Sequence, residues 1–544
     1  MKKIYLLLFS LITILTFNAC SDSDYSDKYN KPSQTNKVSC DALMTGIFYA
    51  GNAWLNPVYY RFYVQSTTSG MFSQIIGSAN SKGRYFGAGV GYYNVRWKDF
   101  YNMLTQYRLQ EETFNNLTTE EQANFKPFLM IGRSVMEEQL DEMCSLFGGL
   151  PFSKAGTLFE NNNIEASKAP YDKAEDIYQT ILNDLKEANE FFATSSNVTN
   201  YAQALLNAQD YVNKGDVSLW RKYINSLRLR VAIRLSSNGS LTSVAHAAIA
   251  EMLNNPTLYP MIDDNASNVD VTQDTDGFNF QKDLQNAIEN GTYNRASSAI
   301  LSALNVSSDG TATNADPRLP VLYDSNYDGK YFGLNPHDEL SVQDSLLNDN
   351  THGTARYYAA ADTSTFTRNP GLAGLWMGAA EVSFHKAEAY AMGWAGSVDA
   401  AKAKQYFIQG MQQSTDYYYA LNATGTYRKA ITKPSDAVIL AYAQSQWNAS
   451  NMQKCIVTQK WINYGILNEL EAWNCVRRTG YPILYFKSDP QTTAAPTVPN
   501  RLEYATDEVN YNRANYDAFT NNGATDTWYT LLFWMKDGWY TPIQ

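Results

Sequence analysis

Apolar residues recur at every third or fourth position through much of the chain, and the clearest repeat lies between Ala379 and Leu421. Its first half holds Ala380, Phe384, Ala387, Ala391 and Trp394, and its second half holds Ala400, Ala403, Phe407, Met411, Ser414 and Tyr418. This spacing places each set on one face of an α-helix. Between them, Ala-Gly-Ser at 395–397 predicts a short turn, after which Ser397 can cap the second helix.

Such a helical hairpin cannot bury its apolar stripes alone, so it needs neighbouring helices stacked on it, as in tetratricopeptide-type solenoids. The same periodicity predicts helices over 40–55, 92–107, 127–147, 170–192 and 216–235. Pro170 suits the first turn of its helix. The sequence therefore predicts a mainly α fold of stacked helix pairs. An ordinary hairpin inside an unrelated α-domain remains the alternative.

The predicted helix at 216–235 has an unusual number of arginines. Asp216 is in position to cap it, and Trp220, Ile224, Leu227, Val231 and Leu235 form its buried stripe. The arginines are Arg221, Arg228, Arg230 and Arg234. We expect them to occupy the rest of the helix surface.

Helical periodicity mostly disappears between Pro256 and Gly374, where Asp, Asn, Gly, Ser, Thr and Tyr dominate. One helix is predicted there, from 295 to 305. A loop-rich insert of this length, about 256–376, is uncommon in a helical scaffold and is usually functional. The tail from 485 to 544 is irregular and aromatic.

The first residues have the features of an export signal. Two lysines precede an apolar run that ends at Ala19-Cys20, which is typical of a secretory signal over 1–19 and resembles a bacterial lipobox. Cys20 is therefore the predicted site of lipidation, and 20–38 is predicted to be a flexible tether. A plain secreted protein with an incidental cysteine is the alternative. No internal linker divides the remainder, so 39–544 is predicted to form a single domain.

Charge and motifs narrow the possible functions. The net charge of −11 argues against nucleic acid as a partner. The four histidines form no HExxH pair, and no Walker A loop, G-x-S-x-G elbow or G-x-G-x-x-G is present. Cys40, Cys144, Cys455 and Cys475 lack metal spacing, and three of them fall within helical patterns, which favours buried thiols over disulfides. We therefore predict no cofactor, although the absence of these motifs does not exclude a glycoside hydrolase.

The chain holds 39 tyrosines and 11 tryptophans, and a site for sugar rings would need flat aromatic residues beside polar side chains. Trp97, Trp220, Trp394, Trp461 and Trp473 lie on helical stripes and are expected in the core. Aromatic residues in polar or Gly-rich loops are the candidate ligand contacts, and the alternative is that they only hold their loops in place. These are Tyr85, Phe86, Tyr92, Tyr93, Tyr327, Tyr331, Phe332, Tyr357, Tyr358 and Trp376.

The segment 324–335 has part of the pattern of a calcium loop. Asp324, Asn326 and Asp328 alternate as oxygen ligands do, and Gly329 follows at the sharp turn. The twelfth position is Asn335 instead of the usual bidentate Glu. A structural calcium ion is one hypothesis, and a turn rich in Asx residues is the favoured one.

Several phrases resemble the SusD/RagB family of nutrient-binding outer-membrane lipoproteins. They are FGGLPFS (147–153), GDVSLWRKYINSLRLRVAIRLS (215–236), EVSFHKAEAYAMGW (381–394), QKWI (459–462) with EAWNCVRRTGYP (471–482), and RLEYATDEVNYNRANY (501–516). Cys475 stands where the family usually has an acidic residue. The likeness covers essentially the whole mature chain.

The resemblance implies a right-handed stack of tetratricopeptide-like helix pairs whose non-repetitive part carries the ligand. It also implies a cell-surface lipoprotein that captures oligosaccharide or peptide and acts as the lid of a SusC-like TonB-dependent transporter. Two other classes stay open. One is an all-helical carbohydrate-active enzyme, which needs only two carboxylates. The other is a helical-repeat scaffold for protein interactions.

Overall fold

The structure is a computed structural model that describes residues 38–79, 83–85, 89–273, 278–289, 293–348, 351, 356–489 and 496–543. The predicted signal segment, Cys20 and nearly all of the predicted tether lie outside these residues, as does Phe86. No helix within the described ranges is long and apolar enough to span a membrane.

Helices account for most of the described chain. Those before the insert are α1 (Cys40–Leu55), α2 (Tyr59–Thr67), α3 (Ser69–Phe72), α4 (Val90–Asn115), α5 (Thr119–Phe147), α6 (Leu158–Asn161), α7 (Ala174–Phe192), α8 (Asn200–Gln209), α9 (Val217–Leu235) and α10 (Thr242–Asn254). Those within the insert are α11 (Phe280–Ile288), α12 (Ser298–Ala303), α13 (Leu319–Leu322) and α14 (Leu340–Leu347). Those after it are α15 (Ala379–Met392), α16 (Ala400–Thr424), α17 (Asp436–Gln446), α18 (Met452–Tyr464), α19 (Glu469–Thr479), α20 (Thr506–Tyr511) and α21 (Arg513–Thr520).

Six short strands form three two-stranded sheets in the described ranges. The strands are β1 (Val269–Val271), β2 (Tyr323–Asp324), β3 (Ala360–Ala361), β4 (Gly374–Met377), β5 (Tyr485–Lys487) and β6 (Thr541–Ile543). The pairs β1–β4 and β2–β3 are antiparallel and close the insert on itself. The parallel pair β5–β6 fastens the end of the chain to the segment that follows α19.

The predicted hairpin is the pair α15–α16. Phe384 and Phe407 are fully buried, and their rings meet edge to face with centroids 6.4 Å apart. Gly410 allows this approach, because a Cβ atom there would lie 2.9 Å from the Phe384 ring. The residue predicted to cap the N-terminus of α16 was wrong. Asp399, not Ser397, accepts the backbone N–H of the first turn, because α16 begins three residues later than Ser397.

Two other helix starts also differ from the prediction. Helix α5 begins at Thr119, ahead of Pro127, because Thr118 and Glu121 form a reciprocal capping box that satisfies the first backbone donors. Helix α7 begins at Ala174, so Pro170 precedes the helix instead of occupying its first turn. The cap predicted at Asp216 is confirmed, since its carboxylate accepts the N–H of Leu219 at 3.0 Å.

Three of the four arginines of α9 are buried, which corrects the expectation that they lie on the helix surface. Arg230 donates to Glu381 at 2.6 Å, and Arg234 donates to Asp141 at 2.9 Å. Each guanidinium therefore has a carboxylate partner on another helix, and this pairing offsets the cost of removing its charge from water. Helix α9 contacts α7, α10 and α15.

A second buried charge group joins α15 to the last two helices of the stack. Glu388 accepts from Lys460 at 2.8 Å and from Arg478 at 2.7 Å, and all three side chains are inaccessible to solvent or nearly so. Arg478 therefore finds its carboxylate on α15, although Cys475 stands where a nearby acid was expected. The four described cysteines form no disulfide, and Cys40, Cys144 and Cys475 are buried.

The insert contains more regular structure than its sequence suggested. The helix predicted at 295–305 is present as α12, but α11 and α14 were not predicted. Phe280, Leu284 and Ile288 bury one face of α11. This helix packs along α2, so the insert supports the first helices of the stack. The tail also holds two short helices, α20 and α21, where none was predicted.

Candidate functional site

Five tyrosines from three separate segments meet at the surface, and we call them the tyrosine cluster. Helix α2 contributes Tyr59, Tyr60 and Tyr63, the first turn of α4 contributes Tyr92, and the insert contributes Tyr293. The Tyr59 and Tyr63 rings are stacked with centroids 5.7 Å apart. Tyr63 lies 4.7 Å from Tyr92 and 6.1 Å from Tyr293. The rings thus form a continuous aromatic surface.

The two faces of α2 explain why these rings stay at the surface. Arg61 and Phe62 point inward, where the Arg61 guanidinium donates to the Trp54 carbonyl at 2.7 Å. The tyrosines lie on the other face, and Tyr60 is 43% exposed while Tyr59 and Tyr63 are half-buried. Partial burial, together with the neighbouring tyrosines, raises the pKa of Tyr63 to about 12. Its hydroxyl therefore stays protonated and can both donate and accept hydrogen bonds.

Polar groups lie beside the cluster. Asp283 of α11 accepts the backbone N–H of Tyr59, and burial raises the pKa of its carboxyl group. Arg295 follows Tyr293 by two residues and donates to the Asn294 side chain at 2.7 Å. Burial lowers the pKa of Arg295 to about 10, which leaves it charged at neutral pH. Exposed aromatic rings that carry hydroxyl groups and lie near charged side chains can bind sugars, although only the Tyr59 and Tyr63 rings are stacked and the other pairs are tilted or edge to face.

A smaller aromatic group lies within the insert. The Phe332 and Tyr357 rings are stacked at 5.1 Å with an interplanar angle of 10°, and Tyr358 meets Tyr357 edge to face at 5.2 Å. Tyr331, Phe332 and Tyr357 are half-buried, as is Tyr327 in the neighbouring turn. These residues present only part of each ring to solvent, and their predicted contact with a ligand stays a prediction.

Four of the predicted contacts are buried. Tyr85 donates its hydroxyl to the carbonyl of Lys487 and packs 6.0 Å from the Phe486 ring, so it holds its loop against β5. Trp376 donates its indole N–H to Asn56 at 3.0 Å and is 2% exposed. Tyr93 and Tyr358 are similarly enclosed. Their rings offer little surface to a ligand, and Tyr93 and Trp376 belong to α4 and β4 and not to loops.

The turn at 324–328 does not fit a calcium loop. The Asp324 carboxylate accepts from Arg356 at 2.7 Å and also from Arg428 and Thr363. Burial alone would raise the pKa of Asp324, but hydrogen bonds from Asp362, Thr363 and Arg428 outweigh it and lower the pKa. The Asp324 oxygen atoms that a cation would need are therefore already occupied by arginine and threonine.

Asn326 shows what the segment does instead. Its side-chain oxygen accepts the backbone N–H groups of Asp328 and Lys330, both at 2.9 Å, which is an Asx turn. No group of three or more His, Cys, Asp or Glu side chains in the described ranges is placed to hold a metal ion. The geometry favours the turn over the calcium hypothesis.

Of the tyrosine cluster, only Tyr92 was predicted from the sequence. Tyr59, Tyr60 and Tyr63 were missed, although YYRFY at 59–63 has four aromatic residues in five positions, more than one helix face can bury. Tyr293 carries no comparable local signal. Its position follows from the backbone pairing of the next residues, since Arg295 bridges to Ala360 and Ala296 bridges to Ile76.

Comparisons with known proteins agree with the fold. A model of the SusD-like family described as "Starch-binding associating with outer membrane" matches residues 33–505. No curated protein matches the chain. Among solved structures, a chitin-binding protein is similar with a TM-score of 0.71 and 22% identity, covering 91% of this chain and 100% of that one.

Two further structures have the same architecture. A SusD-like protein from Bacteroides thetaiotaomicron has a TM-score of 0.65 and 20% identity, covering 91% of this chain and 98% of that one. A SusD homologue from Parabacteroides distasonis has a TM-score of 0.68 and 19% identity, covering 92% and 98%. The predicted mainly helical fold is confirmed. Because the family match extends over most of its length, the chain belongs to the SusD-like family.

Proposed function

We propose that the protein is a cell-surface lipoprotein that captures oligosaccharide on the tyrosine cluster and passes it to a SusC-like TonB-dependent transporter of the outer membrane. The tyrosine cluster is the observation that carries this proposal. The family description, starch-binding associating with outer membrane, supports both the ligand class and the location. The apolar segment ending at Cys20 supports a lipid anchor.

The chemistry of the cluster suits a neutral glycan. Each ring can stack against the C–H face of a sugar, and one such contact contributes about 0.5–1.5 kcal/mol beyond area burial. Tyr60 and Tyr92 belong to different helices and lie 6.3 Å apart, so a chain of sugars can touch both without moving the scaffold. The net charge of −11 disfavours anionic ligands.

The ligand class is tested with the full chain, solubilised in detergent and screened against soluble starch, glycol chitin and a panel of peptides. We expect a polysaccharide to retard the protein in affinity electrophoresis. The double variant Tyr60→Ala with Tyr92→Ala should weaken that binding at least tenfold. The matched control is Tyr511→Ala, which removes a 75% exposed tyrosine from α20, on a different part of the chain.

Three results would contradict this function. Retardation that is unchanged in the double variant would remove the tyrosine cluster from the proposal. Binding confined to peptides would show that the ligand is a peptide and not an oligosaccharide. Release of shorter sugars from a bound polysaccharide would indicate a carbohydrate-active enzyme.

The delivery step has its own test. Purification of the lipidated chain from native outer membranes in a mild detergent is expected to recover a TonB-dependent transporter with it. Recovery of the chain alone, under conditions that preserve other complexes of the same membrane, would count against its role as the lid of a transporter. A Cys20→Ala chain that stays bound to the membrane would count against the anchor.

A further inference from the structure

A second concave surface, built from different residues, lies between α12, α18 and β5. It is a groove of about 940 Å³, and we call it the amide groove. Amide and hydroxyl side chains line it, among them Asn305, Asn335, Gln446, Asn448 and Thr458. Because amides offer both donors and acceptors, the groove can match the alternating hydroxyl pattern of a sugar.

The groove carries few charges for a protein of this composition. Acidic and basic residues make up 18% of the chain, yet Lys454 is the one such residue among the twenty described residues of the lining. His337 also lines it, and burial lowers the pKa of this imidazole, so the ring is neutral at physiological pH. A surface with this balance favours a neutral, hydroxyl-rich ligand over a charged one.

The edge of the groove is held in a fixed shape. The carbonyl of Tyr485 accepts from the Gln74 side chain at 2.6 Å and from Nε2 of His337 at 2.7 Å. Gln74 has a left-handed backbone with a φ of 54°, which is costly for a non-glycine residue and persists here because Ser297 also donates to its carbonyl. The Tyr485 ring, 49% exposed, is thus presented by a rigid backbone.

The amide groove continues beyond its main cavity. A second depression of about 540 Å³ shares Asn305 and Gln446 with it and adds Tyr442 and Asn314. Asn305 donates to the Tyr442 hydroxyl at 2.8 Å, and this hydrogen bond lies where the two depressions meet. The combined groove therefore has enough volume for several sugar units.

We infer that the amide groove is a second carbohydrate-binding site, separate from the tyrosine cluster, that takes a neutral oligosaccharide with one ring against Tyr485. The inference rests on the proposed function in taking a glycan as the ligand. A polysaccharide that reaches both sites binds the second one as an intramolecular event, so long chains should bind more tightly than short ones.

Cys455 provides a direct probe of the amide groove. It lines the groove and is half-buried, whereas Cys40, Cys144 and Cys475 are buried in the core. Burial raises the pKa of the Cys455 thiol, so labelling with N-ethylmaleimide is carried out at pH 8.5 and followed by mass spectrometry of the full chain. The probes are maltoheptaose and chitohexaose. We expect one of them to slow modification of Cys455 at least fivefold.

Two variants connect this protection to the amide groove. Tyr485→Ala removes the ring but keeps the backbone carbonyl, and it should cancel the protection while short-chain binding at the tyrosine cluster persists. Ser302→Trp places a bulky side chain at an exposed position of α12 and should block the groove independently. The double variant Tyr60→Ala with Tyr92→Ala should retain protection of Cys455. Unreactive core cysteines confirm that each variant is folded.

The outcomes separate the two proposals. If neither sugar protects Cys455 while the tyrosine cluster binds glycan, the amide groove is not a carbohydrate site and the proposed function stands. If Cys455 is protected and the tyrosine cluster is dispensable, the groove is the primary site and the cluster assignment fails. Protection by peptides alone overturns the inference, and absence of glycan binding at either site overturns both.

Discussion

The helix pair α15–α16 and the tyrosine cluster use aromatic residues in opposite ways. In the pair, Phe384 and Phe407 are fully enclosed, and they hold two helices together. In the cluster, Tyr60 and its neighbours from α2, α4 and the insert keep part of each side chain exposed. Aromatic content alone therefore does not mark a ligand site in this protein. A better criterion is whether a ring already has partners on both faces.

The largest expected effect concerns stability. Phe407→Ala should lower the free energy of unfolding by about 3–5 kcal/mol, because it leaves a cavity between α15 and α16. Tyr60→Ala should change it by about 0.5 kcal/mol or less, since an exposed ring makes few core contacts. Urea denaturation of both variants measures the difference. Equal losses would break the comparison, because Tyr60 would then be a structural residue.

A smaller effect is expected from the buried polar core beside the same helix pair. His385 faces Glu381 through Nε2 at 3.2 Å and Lys460 through Nδ1 at 3.4 Å, an arrangement that suits a neutral ring. Burial and the Lys460 charge lower the pKa of His385 to about 4. The unfolded chain binds this proton below about pH 6.5 and the folded chain does not, so stability falls as pH falls from 6.5 toward 4.

The measurement is the difference between the parent and His385→Gln, which keeps one donor and one acceptor. Between pH 6.5 and 5 the parent should lose about 2 kcal/mol through this histidine, and the variant should not. The difference is needed because burial raises the pKa of Glu138 to about 7, which acts in the opposite direction. Parallel pH curves for parent and variant would show that His385 is protonated in the folded protein.

The smallest effect is expected at the turn 324–328. Its Asp and Asn side chains alternate like calcium ligands, but Asp324 and Asn326 already accept hydrogen bonds from the protein. Its hydrogen bonds predict that a calcium chelator leaves the melting temperature unchanged. Asp328→Ala should alter stability by about 0.5 kcal/mol or less, since the Asp328 side chain is exposed. A chelator-dependent fall in melting temperature that disappears in Asp328→Ala would restore the calcium hypothesis.

The stacked helices could be predicted because their signal is local. Phe384 and Phe407 each belong to a set of apolar residues at helical spacing. The Asp216 cap depends only on the next three residues. Helix α11 could also have been predicted, since Phe280, Leu284 and Ile288 have the same helical spacing. It was missed because the polar composition around it masked a short helix.

The tyrosine cluster and the buried arginines could not be predicted in the same way. Tyr63 and Tyr293 are distant in the chain, and no periodicity reports that they meet. The partner of Arg230 is Glu381, 151 residues away, so the sequence around either residue suggests a solvated charge. For Trp376 the prediction failed in the opposite direction. Its polar surroundings in the sequence suggested an exposed ring, but the ring is buried and its indole N–H donates to Asn56.

The ion pairs of α9 change how the whole stack must fold. Solenoids of helical repeats gain stability repeat by repeat, and their ends can open independently. Here Arg234 joins Asp141 to Glu471, which lies 237 residues further along the chain than the arginine. Opening α19 alone would leave that buried guanidinium short of one carboxylate, at a cost of several kcal/mol. Helices α5, α9 and α19 are therefore expected to unfold in one cooperative step.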